Sequence, residues 1–150
     1  MILPQRKSLP HHIPLWINSN DATYFITICV QRSSPTGTAD LTLGSSSAIL
    51  LTSVDNYFRA NRWFPLVFLL MPDHIHTILS FPGDIKSTIT NWKRWTAKTA
   101  GINWQRDFFE HRIRDRNLLI QKFEYIRENP VRRKLATSAD KWVHAWYPPN

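Results

Sequence analysis

Three features are absent from this 150-residue chain, and their absence limits its possible functions. A single cysteine, Cys29, excludes an internal disulfide and fits a reducing compartment. The longest apolar run, residues 64–71, is far shorter than the roughly 20 residues needed to cross a bilayer. Pro4, Pro10 and Pro14 interrupt the N-terminal residues, so no signal-peptide apolar stretch is seen there. We therefore expect a cytoplasmic protein with no membrane partner.

Acidic residues are also scarce. Eleven Asp and Glu stand against 19 Lys and Arg, which gives a net charge of +8 and a pI near 10.1. This balance favours a polyanionic partner such as nucleic acid, although a merely soluble basic protein would show it as well. With 43% hydrophobic residues and this length, the composition is that of one globular domain over residues 1–150.

Local patterns predict the order of secondary structure. Residues 1–20 are rich in proline and should form an irregular N-terminal arm. Runs of β-branched, aromatic and other apolar residues predict strands at 23–31, 63–70 and 74–81. Apolar residues at helical spacing predict helices over 48–61, 84–100 and 115–129. The segment between the last two helices is a connector with room for a further strand.

Asp84 and Gly101 have the residue types that begin and end a helix, and Pro130 is predicted to end the last one. The resulting order predicts an α+β domain. We expect a ferredoxin-like central antiparallel sheet with helices mainly on one face.

Two histidines, His74 and His76, lie one residue apart in the third predicted strand. Because side chains alternate along a strand, both should face the same side, where two imidazoles can converge on one cation. The alternative is a pair of ordinary polar residues on a sheet surface. Two histidines hold a metal incompletely, so a metal site would need a third ligand from elsewhere.

The last predicted helix offers a candidate for that ligand. Tyr125 and Asn129 are four residues apart, on one helical face beside the apolar stripe. This position places a phenol and an amide oxygen where they can approach the sheet. Tyr125 could equally be a half-buried packing residue.

Three blocks in this order resemble the REP-associated tyrosine transposases, which are single-tyrosine nucleases with a His-hydrophobic-His motif. The blocks are MPDHIH at 71–76, WQRDFFEHRIRD at 104–115 and YIRENPVR at 125–132. The stretch SLPHHIPLWINSNDATYFIT at 8–27 adds to the resemblance, which covers most of the chain. It implies a fold in which the catalytic tyrosine lies on a C-terminal helix.

The resemblance also implies roles for residues. His74, His76 and Asn129 would hold a divalent metal, Mg²⁺ or Mn²⁺, and Tyr125 would attack a phosphate of single-stranded or hairpin DNA through a 5′-phosphotyrosine intermediate. Imidazole ligands by themselves favour Zn²⁺ or Cu²⁺, so the choice of metal stays open. So does the oligomeric state, because insertion-sequence relatives are dimers and REP-associated members are thought to act as monomers. One departure from the family is Asp73, where Asn is common.

Basic residues near these blocks are candidate phosphate contacts, with a solvated charged face as the alternative. They are Arg112, Arg114, Arg116, Lys122, Arg127, Arg132, Arg133 and Lys134, together with Lys93 and Arg94 of the segment NWKRW. In that segment aromatic residues alternate with cations, as single-strand binding requires, although Trp92 and Trp95 at this spacing can also be core residues. The sequence thus predicts a metal-dependent transposase that cleaves and rejoins DNA at hairpin-forming repeats. The alternatives are a catalytically idle DNA-binding module of the same fold and a metal hydrolase unrelated to DNA.

Overall fold

The computed structural model describes residues 22–31 and 40–150, so the predicted N-terminal arm lies outside the described residues. Within these ranges an antiparallel sheet of five strands forms the centre of the fold. The strands are β1 (Thr23–Cys29), β2 (Phe64–Leu70), β3 (His74–Ser80), β4 (Phe109–Ile113) and β5 (Ala145–Trp146). Their order across the sheet is β4-β1-β3-β2-β5. The first four have the predicted ferredoxin-like arrangement, and β5 extends the sheet beyond β2.

Three long helices cover the sheet in the described residues. They are α1 (Ser46–Arg59), α2 (Ile85–Ala100) and α3 (Arg116–Arg132), and a short 3-10 turn, Ala139–Lys141, follows α3. Buried side chains of α1 and α2 join one hydrophobic cluster, whereas those of α3 join a second cluster on the other face. This confirms an α+β fold with two of the three long helices on one face. None of these helices has the length and apolar character needed to span a bilayer.

The cluster under α1 and α2 is held by aromatic rings. Trp63 and Trp92 are fully buried with ring centroids 5.6 Å apart, and both indole N–H groups donate hydrogen bonds to α1. The alternative interpretation of Trp92 as a core residue is therefore confirmed, while Trp95 remains 45% exposed. Burial of side chains of this size stabilises the fold by roughly 2 kcal/mol each.

The predicted ends of α2 are confirmed. The Asp84 carboxylate accepts a hydrogen bond from the backbone N–H of Ser87 at 2.9 Å, which satisfies one of the free donors of the first turn. Gly101 follows the helix with φ of 68°, a left-handed conformation that glycine adopts without a steric penalty.

The prediction that Pro130 ends the last helix is wrong. α3 continues through Pro130 and ends at Arg132. Two residues later, Lys134 has a left-handed φ of 59°, which turns the chain away from the helix. Because proline lacks an N–H, Pro130 removes one helical hydrogen bond, and only two more helical residues follow it. The carbonyl of Pro130 accepts from the N–H groups of Leu135 and Ala136, and these bonds stabilise the last turn. Asn129 therefore lies inside α3.

An ion pair joins α3 to the C-terminal segment. Arg127 is 1% exposed, and its Nη2 donates to Oδ1 of Asp140 at 2.6 Å. Further along, the indole N–H of Trp142 donates to the Leu70 carbonyl, and the Leu70 N–H donates to the His144 carbonyl. These bonds hold the segment after α3 against the edge of β2.

We expect Asp140→Asn to lower the free energy of unfolding by about 3 kcal/mol, because it leaves the buried Arg127 guanidinium without its counter-charge. Arg59→Gln is the matched control, since the Arg59–Asp55 pair lies at the surface and is worth less than about 1 kcal/mol. Urea denaturation of both variants measures the difference. Equal losses in the two variants would contradict a structural role for the buried pair.

Candidate active site

His74 and His76 lie on the face of the sheet that α3 covers, and both are buried. Their rings meet edge to face, with the two Nε2 atoms 3.2 Å apart. The prediction that the two side chains face the same side is therefore confirmed. They point toward a common position between β3 and α3.

The other nitrogen of each ring has its own polar partner. Nδ1 of His74 lies 2.7 Å from Oδ1 of Asp73, and Nδ1 of His76 lies 3.0 Å from the hydroxyl of Thr27 on β1. When both Nδ1 atoms carry the proton, both Nε2 lone pairs face one another. Partners of this kind fix the tautomer and ring orientation of histidines that bind metals.

Electrostatics favours the neutral form of His76. Burial, together with the charges of nearby basic side chains such as Arg132 and Arg133, lowers the pKa of His76 to about 3. Neutral imidazole is the form that binds a metal, so protons do not compete at neutral pH. Burial alone would raise the pKa of Asp73, but its hydrogen bond and charge interaction with His74 hold that pKa below its usual value.

Tyr125 extends from α3 next to this pair. Its ring centroid lies 6.1 Å from that of His76 and 6.4 Å from that of Phe25, yet the residue is 48% exposed. The guanidinium of Arg132 lies 4.2 Å from the ring centroid, and its Nη2 donates to the Tyr125 carbonyl. The tyrosine is thus held beside the histidines while a large substrate can still reach it. Asn129 lies one turn further along α3 and is buried.

The separation of the histidine nitrogens fits a shared metal ion. Ligands about 2.1 Å from one ion are about 3.0 Å apart at an octahedral angle and about 3.4 Å apart at a tetrahedral one. The 3.2 Å between the Nε2 atoms lies between these values. Residues 22–31 and 40–150 contain no group of three or more His, Cys, Asp or Glu that could hold a metal. A metal here would need oxygen ligands such as the Asn129 amide or a substrate phosphate.

The predicted basic residues are divided between the two faces of the sheet. Lys122, Arg132 and Arg133 lie close enough to His76 to lower its pKa, so these three cations are near the histidine pair. Arg112 on β4 lies opposite Tyr24 on β1, so its side chain is on the face of the sheet that α1 and α2 cover. The exposed Arg94 of α2 is on that side of the molecule as well. Three further predicted residues are exposed near the ends of α3: Arg114 between β4 and α3, Arg116 at the start of α3, and Lys134 just after its end.

Two of the predicted phosphate contacts are corrected by the structure. Lys93 is 8% exposed, and its ammonium donates to the carbonyls of Gln105 and Arg106 at 2.6 and 3.0 Å. Arg127 is buried against Asp140 as described above. Both cations are enclosed by protein, so neither can contact DNA in this conformation. Their role is to hold segments of the chain together.

Sequence reasoning missed Thr27 and left Asp73 without a role. Thr27 is 49 residues before His76, and only the strand register brings them together. Asp73 could have been found from its position beside His74, because a neighbouring carboxylate is a common partner of a metal-binding histidine.

Fold and site together define a ferredoxin-like domain with a paired-histidine site and an exposed tyrosine on a covering helix. No family model matches the chain. It is 27% identical over 142 residues to a candidate REP-associated tyrosine transposase of Haemophilus influenzae, covering 81% of this chain and 77% of that one. It is 27% identical over 100 residues to the REP-associated tyrosine transposase of Escherichia coli K12, covering 63% of this chain and 58% of that one.

A solved structure gives the same result for the fold. The REP-associated tyrosine transposase bound to a REP hairpin superposes with a TM-score of 0.69 and 23% identity, covering 91% of this chain and 81% of that one. The resemblance predicted from the three sequence blocks is therefore confirmed. The chain is similar in sequence to REP-associated tyrosine transposases and shares the fold of one of them.

The adjacent residues Lys93 and Arg94 allow the structural role of the Lys93 ammonium to be tested. We expect Lys93→Met to lower the free energy of unfolding by about 2 kcal/mol, because two carbonyls lose a charged hydrogen-bond donor. Arg94→Met, at an exposed position, should change it by less than about 0.5 kcal/mol. Chemical denaturation compares the two variants. If Lys93→Met is as stable as the wild type, the ammonium has no structural role.

Proposed function

We propose that the protein is a metal-dependent transposase and endonuclease of the REP-associated tyrosine type. It cleaves and rejoins single-stranded DNA at hairpin-forming repeats. The observation that supports this most strongly is the pair of histidine Nε2 atoms 3.2 Å apart, with the ring centroid of the exposed Tyr125 lying 6.1 Å from that of His76. A buried ligand pair beside an accessible nucleophile is an arrangement suited to phosphoryl transfer.

In the proposed reaction the Tyr125 oxygen attacks a phosphorus atom of the DNA backbone. A bond forms between the phenol oxygen and phosphorus, and the bond from phosphorus to the 3′ oxygen breaks. The phenol proton is released, and the departing oxygen takes up a proton and becomes a free 3′-OH. The 5′-phosphotyrosine ester conserves the bond energy, so attack by a 3′-OH on it rejoins strands.

A phenol needs help in this reaction, because it is mostly protonated at neutral pH and is then a poor nucleophile. A divalent ion bound by His74, His76 and Asn129 would offset the charge that develops on the phosphate and orient it for in-line attack. The lowered pKa of His76 keeps that ring neutral, and hydrogen bonds with Asp73 and Thr27 would fix the direction of the two rings.

The cations around the site would position the DNA. Arg132 lies over the Tyr125 ring, and Lys122 lies 5.0 Å from the Phe25 ring centroid on the same face. Arginine binds phosphate oxygens with two parallel hydrogen bonds, so Arg132 is suited to hold the phosphate next to the attacking oxygen. Such contacts position the backbone and carry no sequence information by themselves.

One copy of the chain would be enough for catalysis in this proposal. The contact between Tyr125 and His76 is made within a single chain, with α3 folded back onto its own sheet. An active site shared between subunits would require α3 of one copy to cover the sheet of another. The proposal is therefore a monomer that binds hairpin DNA.

Tyr125→Phe tests the nucleophile. The substitution removes one oxygen and keeps the ring, so folding and DNA affinity should be unchanged while the covalent protein–DNA adduct disappears. The measurement is denaturing electrophoresis after incubation with Mn²⁺ and labelled hairpins with single-stranded flanks, taken from repeats of its own genome. Tyr57→Phe is the control, since Tyr57 packs on Trp63 in the core of the other face. A wild-type amount of adduct in Tyr125→Phe would favour the idle module or another nucleophile.

The metal assignment can be tested without catalysis. We expect His76→Ala to lose Mn²⁺ binding. Binding is measured by electron paramagnetic resonance, from the signal of free Mn²⁺. Asp73→Asn should weaken binding roughly 10- to 100-fold, because the His74 ring loses its charged partner. His144→Asn is the control, since that histidine is hydrogen-bonded to Ser47. Chelation by EDTA should abolish the adduct, and equal Mn²⁺ binding by the wild type and His76→Ala would remove the histidine pair from the metal site.

A further inference from the structure

Phe109, the first residue of β4, is 62% exposed on the edge strand of the sheet. It belongs to neither hydrophobic cluster of the described residues, whereas its neighbour Phe108 packs against the cluster under α1 and α2. An exposed phenyl ring loses the stabilisation that burial would give it. Its position therefore suggests a binding role more than a structural one.

The strand register places Phe109 next to the candidate site. Phe109 lies opposite Thr27 on β1, and Thr27 lies opposite His76 on β3. All three side chains are thus on one face in a single row across the sheet. With strands about 4.8 Å apart, the Phe109 backbone is about 10 Å from that of His76. A short stretch of extended single strand spans this distance.

We propose that Phe109 is a stacking platform for an unpaired DNA base next to the cleaved phosphate. This rests on the proposed function and specifies which residue holds the single strand beside the site. Aromatic rings bind the π-face of any base, and phosphate contacts from nearby cations hold the backbone. Two cations on this face, Lys122 and Arg132, lie 5.0 Å from the Phe25 ring centroid and 4.2 Å from that of Tyr125.

The surroundings favour a nucleic acid over a protein partner. A protein partner usually needs a broad apolar patch. Phe109 is instead followed by charged or polar residues at 110–112, and His111 is exposed on the same face two residues along β4. In the described residues β4 pairs only with β1, so its outer edge leaves room for an extended strand of DNA.

The experiment measures binding of the full chain to labelled oligothymidylate by fluorescence anisotropy, in EDTA so that no cleavage occurs. Phe109→Ala should weaken binding roughly 5- to 150-fold, the range found for loss of one stacked base. Phe109→Trp should restore it, because the larger ring stacks equally well. Val143→Ala is the matched control: Val143 is 74% exposed but lies just before β5, at the opposite edge of the sheet. Affinity for a blunt duplex should be the same in all variants.

A second readout locates the base directly. Oligothymidylate carrying one iodouracil should form an ultraviolet crosslink to Phe109, identified by mass spectrometry. Wild-type affinity of Phe109→Ala for the single strand would overturn the proposal, and so would an equal loss on the blunt duplex. Adduct formation at Tyr125 is measured separately. If the wild type forms the adduct but Phe109→Ala binds single strands normally, the proposed nuclease activity is supported and the platform is not. If binding depends on Phe109 but no adduct forms, only the platform is supported.

Discussion

The register in which β1 pairs with β3 is the constraint on which the candidate site depends. It places Thr27 opposite His76 and so brings a hydroxyl to one ring nitrogen. A shift of one residue would turn both histidines toward α1 and α2, because side chains alternate along a strand. Ile75 and Ile78 prevent this shift, since each is fully buried in a different cluster. Apolar packing on both faces therefore fixes the position of two polar side chains.

Much of this arrangement could be predicted from the sequence, because it follows from local rules. Alternation along a strand placed His74 and His76 on one face, and residue types at Asp84 and Gly101 gave the ends of α2. The partners of the histidines could not be predicted in the same way. The contact of Thr27 with His76 spans 49 residues of sequence and depends on pairing between strands.

The errors about Lys93 and Arg127 have a common cause: charge was given more weight than helical position. The buried side chains of the two helices recur at the same spacing. In α2 they are Ile89, Trp92, Lys93 and Thr96, and in α3 they include Phe123, Ile126, Arg127 and Pro130. This is the spacing of one helical face, so both cations belong to the faces turned toward the sheet. A buried cation then needs an acceptor, which Lys93 finds in two carbonyls and Arg127 in Asp140.

The charges around the histidine pair bear on how metal and DNA would bind together. Lys122, Arg132 and Arg133 raise the positive potential at His76, and the carboxylate of Asp73 is hydrogen-bonded to His74. A divalent cation placed between the two imidazoles would be repelled by these three side chains until a phosphate offset their charge. A phosphate would in turn be attracted by the same cations and by the metal. Because coupling between two ligands is reciprocal, each would increase the affinity for the other. If the site binds a metal, the basic residues that would oppose it in the free protein would favour assembly of the full site on DNA.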